Sequence, residues 1–256
     1  MQCLVINLDR SLDRMRHMND QFAGLDRKFK RVVGCDAKAV DEADLFPLKC
    51  QDNSYRDMTA GEIACFLSHR KCWEIAANSD DEYTAIFEDD VYLSKNAEVF
   101  LNDENWIIHG AKCIKIETLN HSVVQSRKKH QLQKGYTLHQ LVSVHYGSAG
   151  YIISKEYAKE LINKSMPIPC ITDEFLFGRA YMAKKEKNIY QMAPAICIQS
   201  RILNEDNSEF ETLIMDYTDW DNSQKPIKIK KTILEKLNRE IIRFCKNIPK
   251  LHRILY

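Results

Sequence analysis

The sequence predicts an α/β domain built around a mostly parallel sheet. Short apolar runs typical of buried strands alternate with segments whose apolar residues recur every three or four positions, as they do in helices. Such alternation favours a central sheet covered by helices. The chain has 256 residues, of which 45% are hydrophobic and 29% are charged, so a sizeable core can form.

The first elements are a strand and a helix. Residues 3–8 form an apolar run that predicts the strand, and Ser11 is a candidate N-cap for the helix that follows. The helix is indicated by apolar residues at helical spacing, namely Leu12, Met15, Met18 and Phe22. A second short strand is expected at 29–34, and residues 36–58 are expected to form a loop.

The next helix has a well-defined start. Thr59 and Glu62 have the Thr-x-x-Glu spacing of a capping box, so the helix is expected from residue 60. Small side chains recur along it at spacings of three and four, which favours close packing on the sheet over direct contact with a ligand. These small residues are Gly61, Ala64, Cys65, Ser68 and Cys72.

The remaining alternation predicts five strands and two helices. The strands are expected at 83–88, 112–117, 138–146, 150–154 and 193–199. The helices are expected at 155–164 and 173–185.

The charge is unevenly distributed along the chain. Residues 225–256 hold ten Lys and Arg against two Glu, a net charge of +8, which leaves −7 of the total +1 for residues 1–224. We therefore expect one domain at 1–224 and a basic tail at 225–256, with no nucleic-acid groove on the acidic domain. Residues 231–248 predict an amphipathic helix, which suits either peripheral contact with an anionic membrane or packing on the domain.

The cysteines and the N-terminus indicate the compartment. Nine cysteines, an odd number without a CxxC pair, lie mostly in apolar segments and are typical of a reducing environment. The N-terminal apolar stretch is too short for a signal peptide, and no apolar run reaches the roughly 18 residues of a membrane span. We therefore expect a cytoplasmic protein.

Three consecutive carboxylates, Glu88, Asp89 and Asp90, stand at the end of the strand expected at 83–88. In open α/β sheets, ligands bind at the carboxyl ends of strands. Adjacent like charges repel unless a cation neutralises them, and oxygen ligands suit Mn²⁺ or Mg²⁺. On an extended backbone Glu88 and Asp90 face one side and Asp89 the other. A solvated turn is the alternative explanation.

Five segments, in this order, resemble the motifs of glycosyltransferase family 25. They are VINLDRSLDRM, MTAGEIACFLSHRKCW, AIFEDDV, KIET and GSAGYIIS. The most specific part is GEIACFLSH followed about twenty residues later by FEDD. That family includes bacterial lipooligosaccharide galactosyltransferases and collagen galactosyltransferases. The resemblance implies a GT-A-type fold, a nucleotide-sugar donor, Mn²⁺ or Mg²⁺ as cofactor, and inversion at the transferred sugar.

The resemblance also implies which residues form the site. Glu88 and Asp90 would face the metal and the diphosphate. The residues expected to border or support the nucleotide-sugar are Asn7, Asp9, Arg14, Asp36, Thr59, Glu62, Ser68, His69 and Asp89.

Inversion in one displacement requires a general base that takes the proton of the acceptor hydroxyl. Asp173 is the first candidate, because it follows a proline-containing loop and is expected to cap the helix that begins near Glu174. An ordinary N-cap is the alternative for Asp173, and Glu174 is the alternative base. Glu117 is expected either to bind acceptor hydroxyls or to pair with Lys115.

The acceptor is expected to contact the bend formed by Tyr146, Gly147 and Ser148, although turn geometry alone would explain the glycine.

The chain departs from many metal-dependent GT-A enzymes at one place. Where those enzymes take a late histidine as a metal ligand, this sequence offers Gln199 and Ser200.

The expected function is transfer of a hexose, galactose from UDP-galactose, to lipooligosaccharide or lipopolysaccharide at the cytoplasmic face of the bacterial inner membrane. The collagen-modifying branch would need an entry signal for secretion, so the bacterial branch fits better. The alternatives are a UDP-glucose-dependent glucosyltransferase, a metal-dependent nucleotide-sugar hydrolase or nucleotidyltransferase, and a non-catalytic glycan-binding module. No glycine-rich phosphate loop supports nucleotidyl transfer.

Overall fold

The structure, a computed structural model, describes residues 1–50, 57–178, 188–203 and 250–256. Its described residues form two β-sheets. The strands of the larger sheet are β1 (Gln2–Asn7), β2 (Lys30–Val33), β3 (Tyr83–Glu88), β5 (Cys113–Lys115), β7 (Ser122–Gln131), β8 (Thr137–Leu141), β9 (Gly150–Ser154), β10 (Ile189–Ala193) and β12 (Lys250–Arg253). The smaller sheet contains β4 (Val91–Leu93), β6 (Glu117–Thr118) and β11 (Cys197–Gln199).

The larger sheet has the strand order β12-β7-β8-β10-β5-β9-β3-β1-β2. Strand β1 runs parallel to β2 and β3, and β5 runs parallel to β10, whereas the other neighbours are antiparallel. The α/β prediction is confirmed, and the sheet expected to be mostly parallel is mixed. Strand β9, placed antiparallel between β3 and β5, is almost fully buried, and its continuous apolar run carries no information about strand direction.

Helices cover both faces of the sheet. They are α1 (Leu12–Ala23), α2 (Glu42–Leu45), α3 (Ala60–Ala77), α4 (Ala97–Asn102), α5 (Lys155–Lys164), α6 (Thr172–Phe177) and α7 (Ser200–Leu203), with two 3₁₀ turns at Phe46–Leu48 and Gln133–Gly135. Alternate residues of β1 belong to two separate apolar clusters, Leu4 with α3 and α5 and Val5 with α1 and α4. The central strands are therefore buried on both faces.

Helix α1 begins as expected after Ser11, but the Ser11 side chain makes no capping hydrogen bond. Its apolar pattern is also only partly correct. Leu12 is 64% exposed, whereas Met18, Phe22 and the charged Arg14 are buried. Arg14 occupies the inner face because it is paired with a buried carboxylate, and an apolar pattern cannot reveal such a pair.

The sequence pattern misses the polar edge of the larger sheet. Strand β7 consists mainly of charged and polar residues, so it lacks the apolar alternation of a half-buried strand. It pairs with β8 on one side and with Lys250–Arg253 on the other. The last residues of the expected tail therefore join the sheet. The amphipathic helix expected at 231–248 lies outside the described residues.

The described part of the chain contains no helix that combines the length and the apolar character needed to cross a bilayer.

The expected capping box is present at the start of α3. The Thr59 hydroxyl accepts a hydrogen bond from the Glu62 amide at 3.2 Å, and the Glu62 carboxylate accepts one from the Thr59 amide at 2.8 Å. Two amide groups that would otherwise lack partners at the helix end are thereby satisfied.

We expect Thr59→Ala to lower the free energy of unfolding by about 1 kcal/mol, because the substitution removes the hydroxyl that accepts from the Glu62 amide. Urea unfolding followed by circular dichroism measures this change. Thr59→Ser is the matched control and should retain most of the stability. An unchanged midpoint in Thr59→Ala would contradict a stabilising cap.

Candidate active site

A pocket opens where β1 and β3 end, above the first half of α3. It is lined by the loop after β1, the loop after β2, the acidic triplet, the bend before β9, the start of α6 and the end of β11. Its polar and charged lining residues are Asn7, Arg10, Arg14, Asp36, Lys38, Glu62, Cys65, Ser68, His69, Glu88, Asp89, Asp90, Ser148, Thr172, Asp173, Gln199 and Arg201.

Asp89 is held by the first strand and helix. The register of β1 and β3 pairs Ile6 with Glu88, which brings Asn7 level with Asp89. The Asn7 amide donates to Asp89 Oδ2 at 2.7 Å, and the Arg14 guanidinium donates to Oδ1 at 2.9 Å. Burial still raises the pKa of Asp89 above its ordinary value. Asp89 thus ties the acidic turn to β1 and α1.

Glu88 is held from the other side, by α3 and the bend before β9. The Glu88 amide donates to the Ala149 carbonyl at 3.0 Å, so the bend passes beside the acidic turn. The Ser148 hydroxyl donates to Glu88 Oε1 at 3.1 Å, and His69 Nε2 lies 3.2 Å from the same oxygen. Burial opposes ionisation of Glu88, but these polar contacts outweigh it and lower its pKa.

Asp90 faces the smaller sheet. Strand β11 pairs Gln199 with Val91, so the Gln199 amide lies 3.3 and 3.4 Å from the two carboxylate oxygens of Asp90. The Arg14 guanidinium is 3.7 Å away. Burial, followed by the negative charge of Glu88, raises the pKa of Asp90 to about 7. The pocket therefore contains a carboxylate whose charge is only partly compensated.

These two carboxylates fit a hard divalent cation. Glu88 and Asp90 both line the pocket at the end of β3, where they offer carboxylate oxygens to a ligand. Carboxylate oxygens are the ligands that Mn²⁺ and Mg²⁺ prefer. A second group of donor atoms lies nearby, because Cys65, His69 and Glu88 have one ligand atom each within 4.8 Å of one another.

Asp173 lines the pocket from the first turn of α6. The sequence predicted Asp173 as the N-cap of a helix that begins near Glu174. The helix instead begins two residues earlier, at Thr172, and Ile171 occupies the capping position. The Gly147 amide donates to Asp173 Oδ2 at 3.0 Å, and the Glu174 amide donates to Oδ1 at 2.7 Å. Asp173 lines the pocket, whereas Glu174 is buried beside it without lining it.

The bend before β9 is supported by a buried ion pair. Lys115 Nζ donates to Glu117 Oε1 and to the Gly147 carbonyl, both at 2.5 Å. Gly147 has a φ of +86°, and a Cβ atom there would lie 2.2 Å from Glu117 Oε1, so only glycine fits. Glu117 is fully buried and does not line the pocket. Of its two alternatives, the structure contains the pairing with Lys115.

Three residues expected around the donor or acceptor lie outside the pocket lining. Asp9 is exposed, lies outside the lining and pairs with Arg31 at 2.6 Å. Thr59 is the α3 cap, and Tyr146 is half-buried outside the lining.

The remaining donor-side residues do lie at the pocket. Ser68 accepts from the Cys35 amide at 2.8 Å, which fixes the loop carrying Asp36. Asp36 in turn accepts from the guanidinium of Arg10 at 2.6 Å. Glu62 also lines the pocket while it completes the α3 cap.

Sequence reasoning missed part of the lining. Arg10, Lys38 and Arg201 bring positive charge to the pocket, and no motif distinguishes them from ordinary surface cations. A signal did exist for Cys65 in the small residues of α3, which the sequence analysis assigned mainly to packing. In the structure, Gly61, Ala64, Cys65 and Ser68 face the pocket, whereas Cys72 lies in the core.

Sequence comparison with known proteins places this chain in a family. Residues 1–176 match the family model described as glycosyltransferase family 25 (LPS biosynthesis protein). The chain is 34% identical over 194 residues to the lipooligosaccharide biosynthesis protein lex-1 of Haemophilus influenzae, which covers 72% of this chain and 63% of that protein. The chain thus spans slightly less than two thirds of that relative.

Two other relatives are matched over more of their length. A putative glycosyltransferase of Haemophilus influenzae is 26% identical over 253 residues, covering 96% of this chain and 87% of that protein. The lacto-N-neotetraose biosynthesis glycosyltransferase LgtE of Neisseria gonorrhoeae is 28% identical over 207 residues, covering 78% and 74%.

Solved structures are more distant. The crystal structure of an active-site mutant of LgtC aligns with a TM-score of 0.41 at 10% identity, covering 83% of this chain and 80% of that chain. The family assignment therefore depends on the sequence comparisons. The family model covers most of the chain. It includes every lining residue of the pocket except Gln199 and Arg201. The chain belongs to glycosyltransferase family 25.

Proposed function

We propose that this chain is an inverting glycosyltransferase that transfers galactose from UDP-galactose to lipooligosaccharide. Family membership supports transfer to an oligosaccharide, and the lipooligosaccharide relatives favour that acceptor. The observation that carries the mechanism is one pocket with two groups of acids, Glu88 with Asp90 at the end of β3, and Asp173 at the start of α6.

Glu88 and Asp90 are the residues that would hold Mn²⁺ or Mg²⁺. Such an ion supplies a Lewis acid that stabilises the charge developing on the departing nucleoside diphosphate. Asp89 serves this pair indirectly, because its contacts with Asn7 and Arg14 fix the turn between β3 and β4. Arg10, Lys38 and Arg201 add positive charge to the lining, which suits the phosphates of the donor.

Asp173 is the general base in this proposal. The acceptor oxygen attacks the anomeric carbon and gives its proton to the Asp173 carboxylate, while the bond from that carbon to the diphosphate oxygen breaks. The Gly147 and Glu174 amides donate to the two oxygens of Asp173, so they orient the carboxylate. Attack from the face opposite the leaving group inverts the anomeric centre.

We also propose that the enzyme acts at the cytoplasmic face of the inner membrane. The basic charge of residues 225–256, +8 by sequence, supports peripheral contact with anionic lipids. An acceptor with a lipid anchor would then be met at that surface.

We expect Glu88→Gln and Asp90→Asn each to lower the transfer rate by about 100-fold or more, because each removes a carboxylate charge from the cation site. A chelator should abolish transfer by the wild type, and Mn²⁺ should restore it. The assay measures UDP release and identifies the extended glycan by mass and by the configuration of the new linkage.

Asp13→Asn, which changes an exposed acid on α1, is the matched control and should transfer at the wild-type rate. Transfer that persists in both pocket variants and in chelator would contradict the metal-assisted mechanism. Metal-dependent UDP release without any extended glycan would instead indicate a nucleotide-sugar hydrolase. Transfer of glucose in preference to galactose would correct the donor.

We expect Asp173→Asn to lower kcat by about 10²- to 10⁴-fold with little change in the KM for the donor, because the base is lost while the proposed donor-side residues Glu88 and Asp90 are unchanged. Steady-state kinetics with saturating acceptor give both constants. Glu174→Gln is the neighbouring control and should stay within a few-fold of wild type. The reverse result, a large loss in Glu174→Gln and little in Asp173→Asn, would transfer the base role to Glu174.

A further inference from the structure

A chain of hydrogen bonds runs from the core under α3 to the pocket. Trp73 Nε1 lies 2.9 Å from the Tyr151 hydroxyl oxygen, and that oxygen lies 2.9 Å from His69 Nδ1. His69 Nε2 then lies 3.2 Å from Glu88 Oε1. Trp73, Tyr151 and His69 are all 0% exposed, so water does not compete for these contacts. This series of hydrogen bonds joins a fully buried tryptophan to one of the two carboxylates proposed to bind the cation.

The chemistry of its first member fixes the direction of the chain. The indole of Trp73 can only donate, so the Tyr151 oxygen accepts that hydrogen bond. The hydroxyl hydrogen of Tyr151 then needs an acceptor, and within the described residues its other hydrogen-bond partner is His69 Nδ1. Nδ1 must therefore carry a lone pair, and the ring proton resides on Nε2, where it is donated to Glu88.

We propose that this one-way chain holds His69 as the Nε2–H tautomer, and that Tyr151 and His69 are positioning residues that orient Glu88 toward the cation. The tautomer follows from the hydrogen-bond pattern alone, whereas the role of the cation depends on the proposed function. His69 and Ser148 both contact Oε1 of Glu88, so Oε2 is the oxygen left for the metal.

The direction of these hydrogen bonds also argues against His69 as a metal ligand. Cys65, His69 and Glu88 lie close enough to form a thiol-containing metal site, but a metal ligand needs a lone pair on Nε2. That lone pair would put the proton on Nδ1, facing the Tyr151 oxygen, and would leave the hydroxyl hydrogen of Tyr151 without its acceptor. A buried donor without an acceptor is strongly unfavourable. The geometry therefore favours the carboxylate pair over the Cys65 group.

The hydrogen bond from His69 Nε2 fixes the orientation of the Glu88 carboxylate beside the proposed cation site. Outer contacts of this kind typically change metal affinity by about 10- to 100-fold when they are removed.

Long-range ¹H–¹⁵N correlation spectra of the histidine rings test the tautomer directly in the metal-free protein. We expect His69 to show a protonated Nε2 and an unprotonated Nδ1 near neutral pH. Tyr151→Phe removes the donor to Nδ1 and should change this pattern. Tyr157→Phe alters another buried tyrosine of the same apolar cluster and should leave it unchanged. A protonated Nδ1 in the wild type, or a doubly protonated ring, would overturn the proposal.

Mn²⁺ binding, followed by the electron paramagnetic resonance signal of the free ion, tests the positioning role. We expect Tyr151→Phe to weaken Mn²⁺ binding by about tenfold, and Tyr157→Phe to leave it unchanged. Unchanged binding in Tyr151→Phe would overturn the positioning role.

Two His69 variants guard against a folding defect in Tyr151→Phe. His69→Gln offers an oxygen to Tyr151 and an amide donor to Glu88, so it should retain more Mn²⁺ affinity than His69→Leu. Equal affinity in the two variants would also count against the proposal. Neither measurement requires turnover, so failure of the transferase assay would leave the tautomer standing and would refute the proposed function separately.

Discussion

Mutual repulsion among Glu88, Asp89 and Asp90 is the constraint that organises the rest of this structure. The three carboxylates are consecutive at the carboxyl end of a central strand, where Asp89 is buried and Glu88 and Asp90 are half-buried in the pocket lining. Each is therefore compensated from a different direction. Asn7 and Arg14 hold Asp89, His69 and Ser148 hold Glu88, and Gln199 faces Asp90. The elements that supply these groups come from both ends of the described chain, and the pocket lies where they meet.

The negative charges of Asp89 and Asp90 are compensated to different degrees. Asp89 accepts hydrogen bonds from a guanidinium and an amide, at 2.9 and 2.7 Å. Asp90 receives an amide and a more distant guanidinium, and its pKa remains raised to about 7. In the proposed mechanism, Asp90 is therefore the carboxylate of the triplet that gains most from contact with the cation.

Sequence reasoning succeeded where local chemistry determines the structure. Thr59 and Glu62 satisfy each other within one helical turn, so their spacing was sufficient to place the start of α3. It failed where distant contacts decide. Arg14 is buried only because Asp89 approaches from another strand, and the polar strand β7 forms only because β8 and β12 pair with it. The Lys115 and Glu117 pair was one of two open alternatives, since a single sequence does not show which strand ends are buried.

A crystal structure of the wild-type chain with Mn²⁺ and UDP, with anomalous diffraction data at the manganese edge, tests whether Glu88 and Asp90 bind the cation. We expect one anomalous peak in the pocket, bound by carboxylate oxygens of Glu88 and Asp90, with His69 donating to Glu88 and not bound to the metal. A peak bound by Cys65 and His69, or no peak at a Mn²⁺ concentration that supports transfer, would contradict it.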